Sequence, residues 1–231
     1  MSIEVVRDAL HKMLPPSFVV GAASPRLQCG WLHPEEQAFI RGASAKRQAE
    51  FGTARVHARL ALEKLGVRAG SLAPLPDRSP RWPVGVVGSI SHTEECCAVA
   101  VARSDQVTSV GIDIEAAAGG LSPGVEELIC TDEERVWLRR HGHSTGLLAR
   151  LIFCAKEAIY KCQYGITRAL LDFREVELAF DLGGSMFSVV DWRGGARPWR
   201  SALARLEGRF DIKAQLIMAT AVVMPLSCEE V

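Results

Sequence analysis

The chain has 231 residues, 48% hydrophobic and 23% charged, the proportions of an ordinary globular protein. Lysine plus arginine number 27 and aspartate plus glutamate 27, and this formal net charge of +0 argues against a general nucleic-acid binder, which carries a basic excess. No apolar run reaches the ~18–20 residues that cross a bilayer. Glu4, Arg7, Asp8 and His11 stand where a secretory signal needs an apolar core, so a cytoplasmic protein without stable membrane association is expected.

The seven cysteines include no C-x-x-C pair, and Cys96 and Cys97 are adjacent in an apolar run. That spacing suits neither a zinc site nor a disulfide framework, and reduced, mostly buried thiols are expected. Residues 15–34 read as extended or loop, with Phe18-Val19-Val20 as an apolar stretch and Pro34-Glu35-Glu36 as a helix start. Residues 44–65 predict a helix: Ala49, Val56, Leu60 and Ala61 offer one core-facing set, Ala49, Phe51 and Leu62 another, and Gly66 is the stop. Pro74, Pro76, Pro80 and Pro83 make residues 70–85 a loop.

Gly88-Ser89-Ile90-Ser91-His92 then reads as a polar turn, followed by a strand over Cys96–Ala102. Val107–Glu115 alternates, with Val110, Ile112 and Ile114 on one face and Asp113 and Glu115 on the other. The small, Gly- and Pro-rich run 116–124 is the expected boundary between two halves, 1–118 and 119–231. Thr131 and Glu134 form a capping-box start, a helix is expected over 146–165, and strands over 175–182, 186–191 and 211–223. Gly183-Gly184 is the turn between the first two of these strands.

Four constellations bear on chemistry. Asp113 and Glu115 share a strand face; carboxylates this close repel unless water or a cation stabilises them, and a hard cation such as Mg2+ takes oxygen ligands of this kind. A solvated acidic strand edge fits the same pattern. On a helix, Glu157 and Lys161 are four residues apart, beside the stripe of Lys156 and Tyr160. This is either a third carboxylate with two ammonium groups for a phosphate, or a plain surface pair. Gly88 to His92 offers backbone N–H groups, hydroxyls and an imidazole to an anion, or simply a polar turn. Arg47 and Arg55, eight residues apart, share a helix face that suits phosphate or is merely solvated. Together these point to a site for a polyphosphate and a divalent cation.

The same residues carry a resemblance. Gly111–Glu115 (GIDIE), Phe153–Lys161 (FCAKEAIYK), the block from Trp82-Pro83 to Gly88-Ser89-Ile90-Ser91-His92, and the helix Lys46–Arg59 resemble the motifs of the 4′-phosphopantetheinyl transferase superfamily. The similarity covers roughly residues 40–180 and lies with the longer, monomeric class that serves siderophore, polyketide and nonribosomal peptide synthesis. The resemblance implies an α+β fold, a pseudo-dimer of two similar lobes with coenzyme A in the cleft between them. It implies transfer of the phosphopantetheine arm to a serine of an apo acyl or peptidyl carrier, releasing 3′,5′-ADP, with Mg2+ as cofactor and Mn2+ as a substitute. By the same resemblance Asp113, Glu115 and Glu157 would bind the metal, Glu157 and Lys161 would be catalytic, and Lys161 and Lys156 would contact the donor's phosphates. Ser89, Ser91 and His92 would hold phosphate oxygens, and Arg47 and Arg55 the adenosine-side phosphates.

Phe153 stands where many relatives carry tryptophan, a change of bulk only. The 75–81 loop lacks the lysine that relatives often present there, leaving Arg78 or Arg81 as substitutes. A metal-dependent phosphodiesterase or nucleotidyl transferase would need similar residues, and a coenzyme A-binding regulator would not need all of them. Carrier docking is expected at Leu121–Leu128 or on the 131–141 helix.

Overall fold

The computed structural model describes residues 3–26, 29–119, 121–122, 124–141 and 145–226. The chain divides into two compact units, Met1–Val107 and Thr108–Val231.

In the first unit, α1 (Ile3–Met13) buries Val6, Ala9, Leu10 and Met13, a helical stripe that the sequence reading passed over. It is followed by β1 (Val19–Ala23), α2 (Pro34–Phe39), α3 (Ala45–Lys64), β2 (Val86–His92) and β3 (Cys97–Arg103). The three strands form an antiparallel sheet in the order β1-β3-β2, and α3 packs on β3 and β1. Six of the seven residues of the central strand β3 are buried. Ser44 caps α3 by accepting from the Arg47 N–H at 3.2 Å. At its far end Gly66 takes φ +76°, with Val67 N–H to Leu62 carbonyl at 2.8 Å and Gly66 N–H to Glu63 carbonyl at 2.9 Å. This is a Schellman stop, and it confirms the expected end of the helix.

Gly88–His92 is not a turn: it lies inside β2, paired with β3 from Val86↔Arg103 to His92↔Cys97. The glycine reflects packing, since a Cβ on Gly88 would meet the Trp82 ring at 2.8 Å. The proline-rich segment 70–85 forms no helix and no named strand, as expected.

The second unit holds β4 (Ser109–Ala116), α4 (Val125–Ile129), α5 (Asp132–Arg140), α6 (Thr145–Thr167), β5 (Val176–Asp181), β6 (Met186–Trp192), β7 (Leu206–Lys213) and β8 (Leu216–Val223). Its five strands run antiparallel in the order β4-β8-β7-β6-β5, and α6 packs across β4 and β8. The structure therefore moves the division from 118/119 to 107/108. The physical reason is the full ladder between β4 and β8, Ser109↔Val223 to Ala116↔Leu216, which binds the acidic strand to the second sheet.

The single strand expected over 211–223 is a hairpin. Ala214 and Gln215, at φ 51° and 63°, turn the chain between β7 and β8. Both central residues lie in the left-handed region, as tight hairpin turns require, without the Asn or Gly that would have announced it. The Gly183-Gly184 turn is where expected, between β5 and β6, and is braced by Gly184 N–H donating to Asp181 Oδ1 at 3.0 Å. The Thr131–Glu134 capping box is also formed, with Thr131 N–H to Glu134 Oε2 at 2.8 Å and Glu134 N–H to Thr131 Oγ1 at 3.2 Å.

Cys96, Cys97, Cys130, Cys154 and Cys162 are buried free thiols. Burial pushes the Cys97 thiol up to about 12. Such thiols stay protonated and unreactive. Among the described residues no helix is long and apolar enough to cross a membrane.

Candidate active site

The acidic strand owes its position to one glycine. A Cβ on Gly111 would run into the Ala158 carbonyl oxygen and lie 2.7 Å from the Cys162 backbone nitrogen, so β4 and α6 approach backbone to backbone there. Two-residue alternation then turns Ser109, Asp113 and Glu115 toward the same helix. Ser109 Oγ donates to the Cys162 carbonyl at 2.6 Å. Lys161 Nζ donates to Asp113 Oδ1 at 2.7 Å and to the Ile112 carbonyl at 3.1 Å. Asp113 is buried and Glu115 is half-buried, so this face is no solvated strand edge.

The charges act on one another. Burial pushes Glu115 up to about 7, reinforced by the neighbouring Asp113 and opposed by Arg150 and Lys161. Arg150 is anchored nearby through the Ala116 carbonyl at 2.9 Å. Glu157 is also raised, by burial and by Asp113, with Lys161 pulling the other way. Burial works to lower Lys161, but the charge and hydrogen bond of Asp113, together with the charge of Glu157, act against it, and its proton is held more tightly than usual. Among the described residues no group of three or more His, Cys, Asp or Glu side chains is gathered into a metal cage; the Lys161 ammonium stands against Asp113 instead.

Lys156 does not face a phosphate site. It is 1% exposed. Its Nζ donates to the Ile129 carbonyl at 2.9 Å, Glu134 Oε2 at 2.7 Å and the Phe173 carbonyl at 2.8 Å. Those bonds use all three N–H donors of an ammonium group. The expectation of a phosphate contact fails because a helix stripe specifies direction, not what covers it. The partner, Glu134, went unrecognised: the sequence marks it as a capping residue, and nothing local links it to a lysine 22 positions on.

On α6, Lys156, Glu157 and Tyr160 line a cavity of about 480 Å³. Leu170, Leu171 and Phe173 contribute apolar surface, and Asp172 and Glu175 add charge.

In the first unit, Arg47 and His92 come together, Nη1 to Nε2 at 2.9 Å. Glu50 Oε2 lies 3.6 Å from Arg47 and 3.7 Å from His92. Ser89 and Ser91 occupy the opposite, buried face of β2 from His92. Arg55 is also buried and does not share an exposed face with Arg47. Its Nε donates to the Leu72 carbonyl at 2.8 Å and its guanidinium lies 4.3 Å from the Phe51 ring centre. Burial draws it down to about 10. The buried Glu36 receives the Leu72 N–H at 2.8 Å and Arg59 Nη1 at 2.7 Å, so Leu72, at the start of the proline-rich loop, is held on both sides of its peptide. Arg78 closes a turn in that loop, at φ 68°, with its N–H donating to the Leu75 carbonyl at 2.8 Å.

Residues 35–102 match the 4′-phosphopantetheinyl transferase N-terminal domain and residues 109–220 the 4′-phosphopantetheinyl transferase superfamily. The chain is 38% identical over 208 residues to the 4′-phosphopantetheinyl transferase Svp of Streptomyces mobaraensis, covering 86% of this chain and 82% of that protein. It is 34% identical over 200 residues to PptT of Mycobacterium tuberculosis, covering 83% and 85%. Against the solved holo-[acyl-carrier-protein] synthase of Neisseria meningitidis the TM-score is 0.40 at 20% identity, over 52% of this chain and 99% of that one. The protein belongs to the 4′-phosphopantetheinyl transferase superfamily. Its activity is that of the family: it moves the phosphopantetheine group of coenzyme A onto apo carrier proteins.

Proposed function

We propose that the transfer uses a divalent cation, Mg2+ or Mn2+ in its place, held by Asp113, Glu115 and Glu157. The observation that carries this reading is the packing of β4 on α6. It sets Asp113 close enough to raise the proton affinity of both Glu115 and Glu157. Mutual repulsion of this kind is what a hard cation relieves, and an all-oxygen donor set suits it. Bound there, the cation supplies charge neutralisation at the donor's pyrophosphate.

The chain's own residues do the rest. Glu157 accepts the proton of the carrier serine hydroxyl as its oxygen attacks the β-phosphorus. The bond from the β-phosphorus to the bridging oxygen breaks, and its electron pair leaves with 3′,5′-ADP. Lys161, oriented by Asp113, stabilises the charge that develops on that leaving group. Arg47 and His92 offer donors to the adenosine-side phosphates. The cavity bordered by Tyr160, Leu170, Leu171 and Phe173 receives the pantetheine arm. The acceptor is an acyl or peptidyl carrier domain of siderophore, polyketide or nonribosomal peptide synthesis, and the protein acts in the cytoplasm as a monomer of 25.1 kDa.

Incubation with coenzyme A, Mg2+ and a panel of apo-carriers, read by intact mass, tests the reading. Holo-carrier should form, stop forming in excess chelator and resume with added Mg2+ or Mn2+. Full turnover under chelation would remove the metal from the mechanism, and coenzyme A cleavage without carrier would indicate a hydrolase. Light scattering should return the monomer mass.

A further inference from the structure

The Lys156–Glu134 pair reaches further than an ordinary buried ion pair. Lys156 is held from the end of α4 through the Ile129 carbonyl and from the start of α5 through Glu134. Glu134 in turn receives the Leu178 N–H of β5 on Oε1, at 2.8 Å, and the Thr131 N–H on Oε2. The third acceptor of Lys156 is the carbonyl of Phe173, which opens the 3-10 turn Phe173–Glu175. That turn is one side of the cavity, and Glu157 and Tyr160 of α6 are another. The residue beside Glu157 thus grips the wall that borders it. Leu170, by contrast, is 80% exposed, and the segment between α6 and the turn has few buried side chains of its own to fix it.

We propose that Lys156 and Glu134 are positioning residues: together they fix the Phe173–Glu175 wall over α6 and so preform the cavity for the pantetheine arm of the donor. The proposal rests on the assignment of that cavity to the arm. Lys156 itself lines the cavity, but its ammonium is committed to the Ile129 and Phe173 carbonyls and to Glu134, and the pair acts by sparing the wall the loss of freedom that ordering on binding would bring. A direct phosphate contact by Lys156 would act on 3′,5′-ADP and coenzyme A alike; a positioning role acts on coenzyme A alone, because only coenzyme A carries the arm.

Two measurements on the full-length protein test this, with K156M and with the milder E134D, which keeps the charge and shortens its reach in case K156M folds poorly. The first is hydrogen exchange of the ligand-free protein. Peptides covering 170–178 should exchange about tenfold faster or more in the variants, through local opening, while peptides from α3 stay at wild-type rates. Unchanged exchange over 170–178 in folded E134D would overturn the positioning role. The second is calorimetric binding with Mg2+ present. Affinity for coenzyme A should fall about tenfold, while affinity for 3′,5′-ADP stays within about twofold. An equal loss for both ligands would restore the phosphate contact and overturn the proposal. Faster exchange at 170–178 with coenzyme A affinity intact would leave the anchor standing and overturn the assignment of the cavity to the arm.

Discussion

The two long helices α3 and α6 carry their cations in matching ways, and the match exposes a difference. Of the candidate site cations on each, one is at least partly exposed, Arg47 or Lys161, and another is hidden, Arg55 or Lys156. Both hidden cations hold backbone carbonyls of a following loop, Leu72 in the first unit and Phe173 in the second. Arg55, however, rests on a carbonyl and an aromatic face, whereas Lys156 is bonded directly to a buried carboxylate. A charged residue in a motif is therefore a candidate for chemistry or for scaffolding, and burial decides which. The difference also implies unequal costs of removal: deleting Lys156 strands a buried charge, deleting Arg55 does not.

The largest effect should fall on the exposed side of this comparison, at the bond-making step. Glu157→Gln keeps shape but removes basicity, and kcat should fall about 10²-fold or more, the scale of a lost acid–base group. Coenzyme A binding should weaken less than turnover. Arg47→Ala should instead raise KM with a smaller change in kcat, since the phosphates it would meet do not change bonding. Steady-state kinetics at saturating carrier separates the two, and the reverse pattern would exchange their roles.

Next come the hidden cations. Lys156→Met should lower unfolding free energy by about 3–5 kcal/mol, because Glu134 is left buried and uncompensated. Arg55→Met should lower it by about 1–3 kcal/mol, the cost of leaving the Leu72 carbonyl unmatched. Urea denaturation of both variants would blur the contrast if the two losses were equal.

A third pair sharpens the comparison at the sheets. Gly111→Ala must push the backbone of α6 away from β4 and should destabilise by about 1–3 kcal/mol, toward the upper end because the obstructing atoms are main chain. Gly21→Ala in β1 would bring its Cβ to an ordinary 3.5 Å from the His57 carbonyl and should be tolerated. Thermal melts of the two variants decide this. The smallest effects are at the caps. Thr131→Ala and Ser44→Ala should each lose about 1 kcal/mol, with Thr131 the costlier because its capping box is buried. Equal losses would show that burial does not strengthen the cap.

Much of this was legible because the controlling interactions are local. Ser44 and Gly66 bracket α3, the Thr131 box starts α5, and Gly183-Gly184 turns β5 into β6, each within a few residues. The candidate site was legible for the opposite reason: Asp113, Glu115, Glu157 and Lys161 form short patterns whose chemistry is specific when taken together. What escaped notice was non-local or unsignalled. The β4–β8 ladder joins segments about a hundred positions apart, so the Gly-rich run 116–124 looked like the boundary when the chain divides earlier. Ala214-Gln215 turns without turn residues. Arg55 and Lys156 sit on the stripes the helix period predicts, but only the packed fold reveals that Leu72, Glu134 and Phe173 claim them.

The five thiols buried among the described residues have a practical consequence. A thiol that is protonated and shielded reacts with an alkylating reagent only when its surroundings open, so labelling becomes a clock for opening. Cys96 and Cys97 would time the first sheet, and Cys130, Cys154 and Cys162 the second. Cys154 and Cys162 lie on α6 itself, on either side of Glu157 and Lys161. Peptide-resolved mass spectrometry after timed labelling would then read the opening of α6 separately from that of the first sheet, in unmodified protein and without a reporter group.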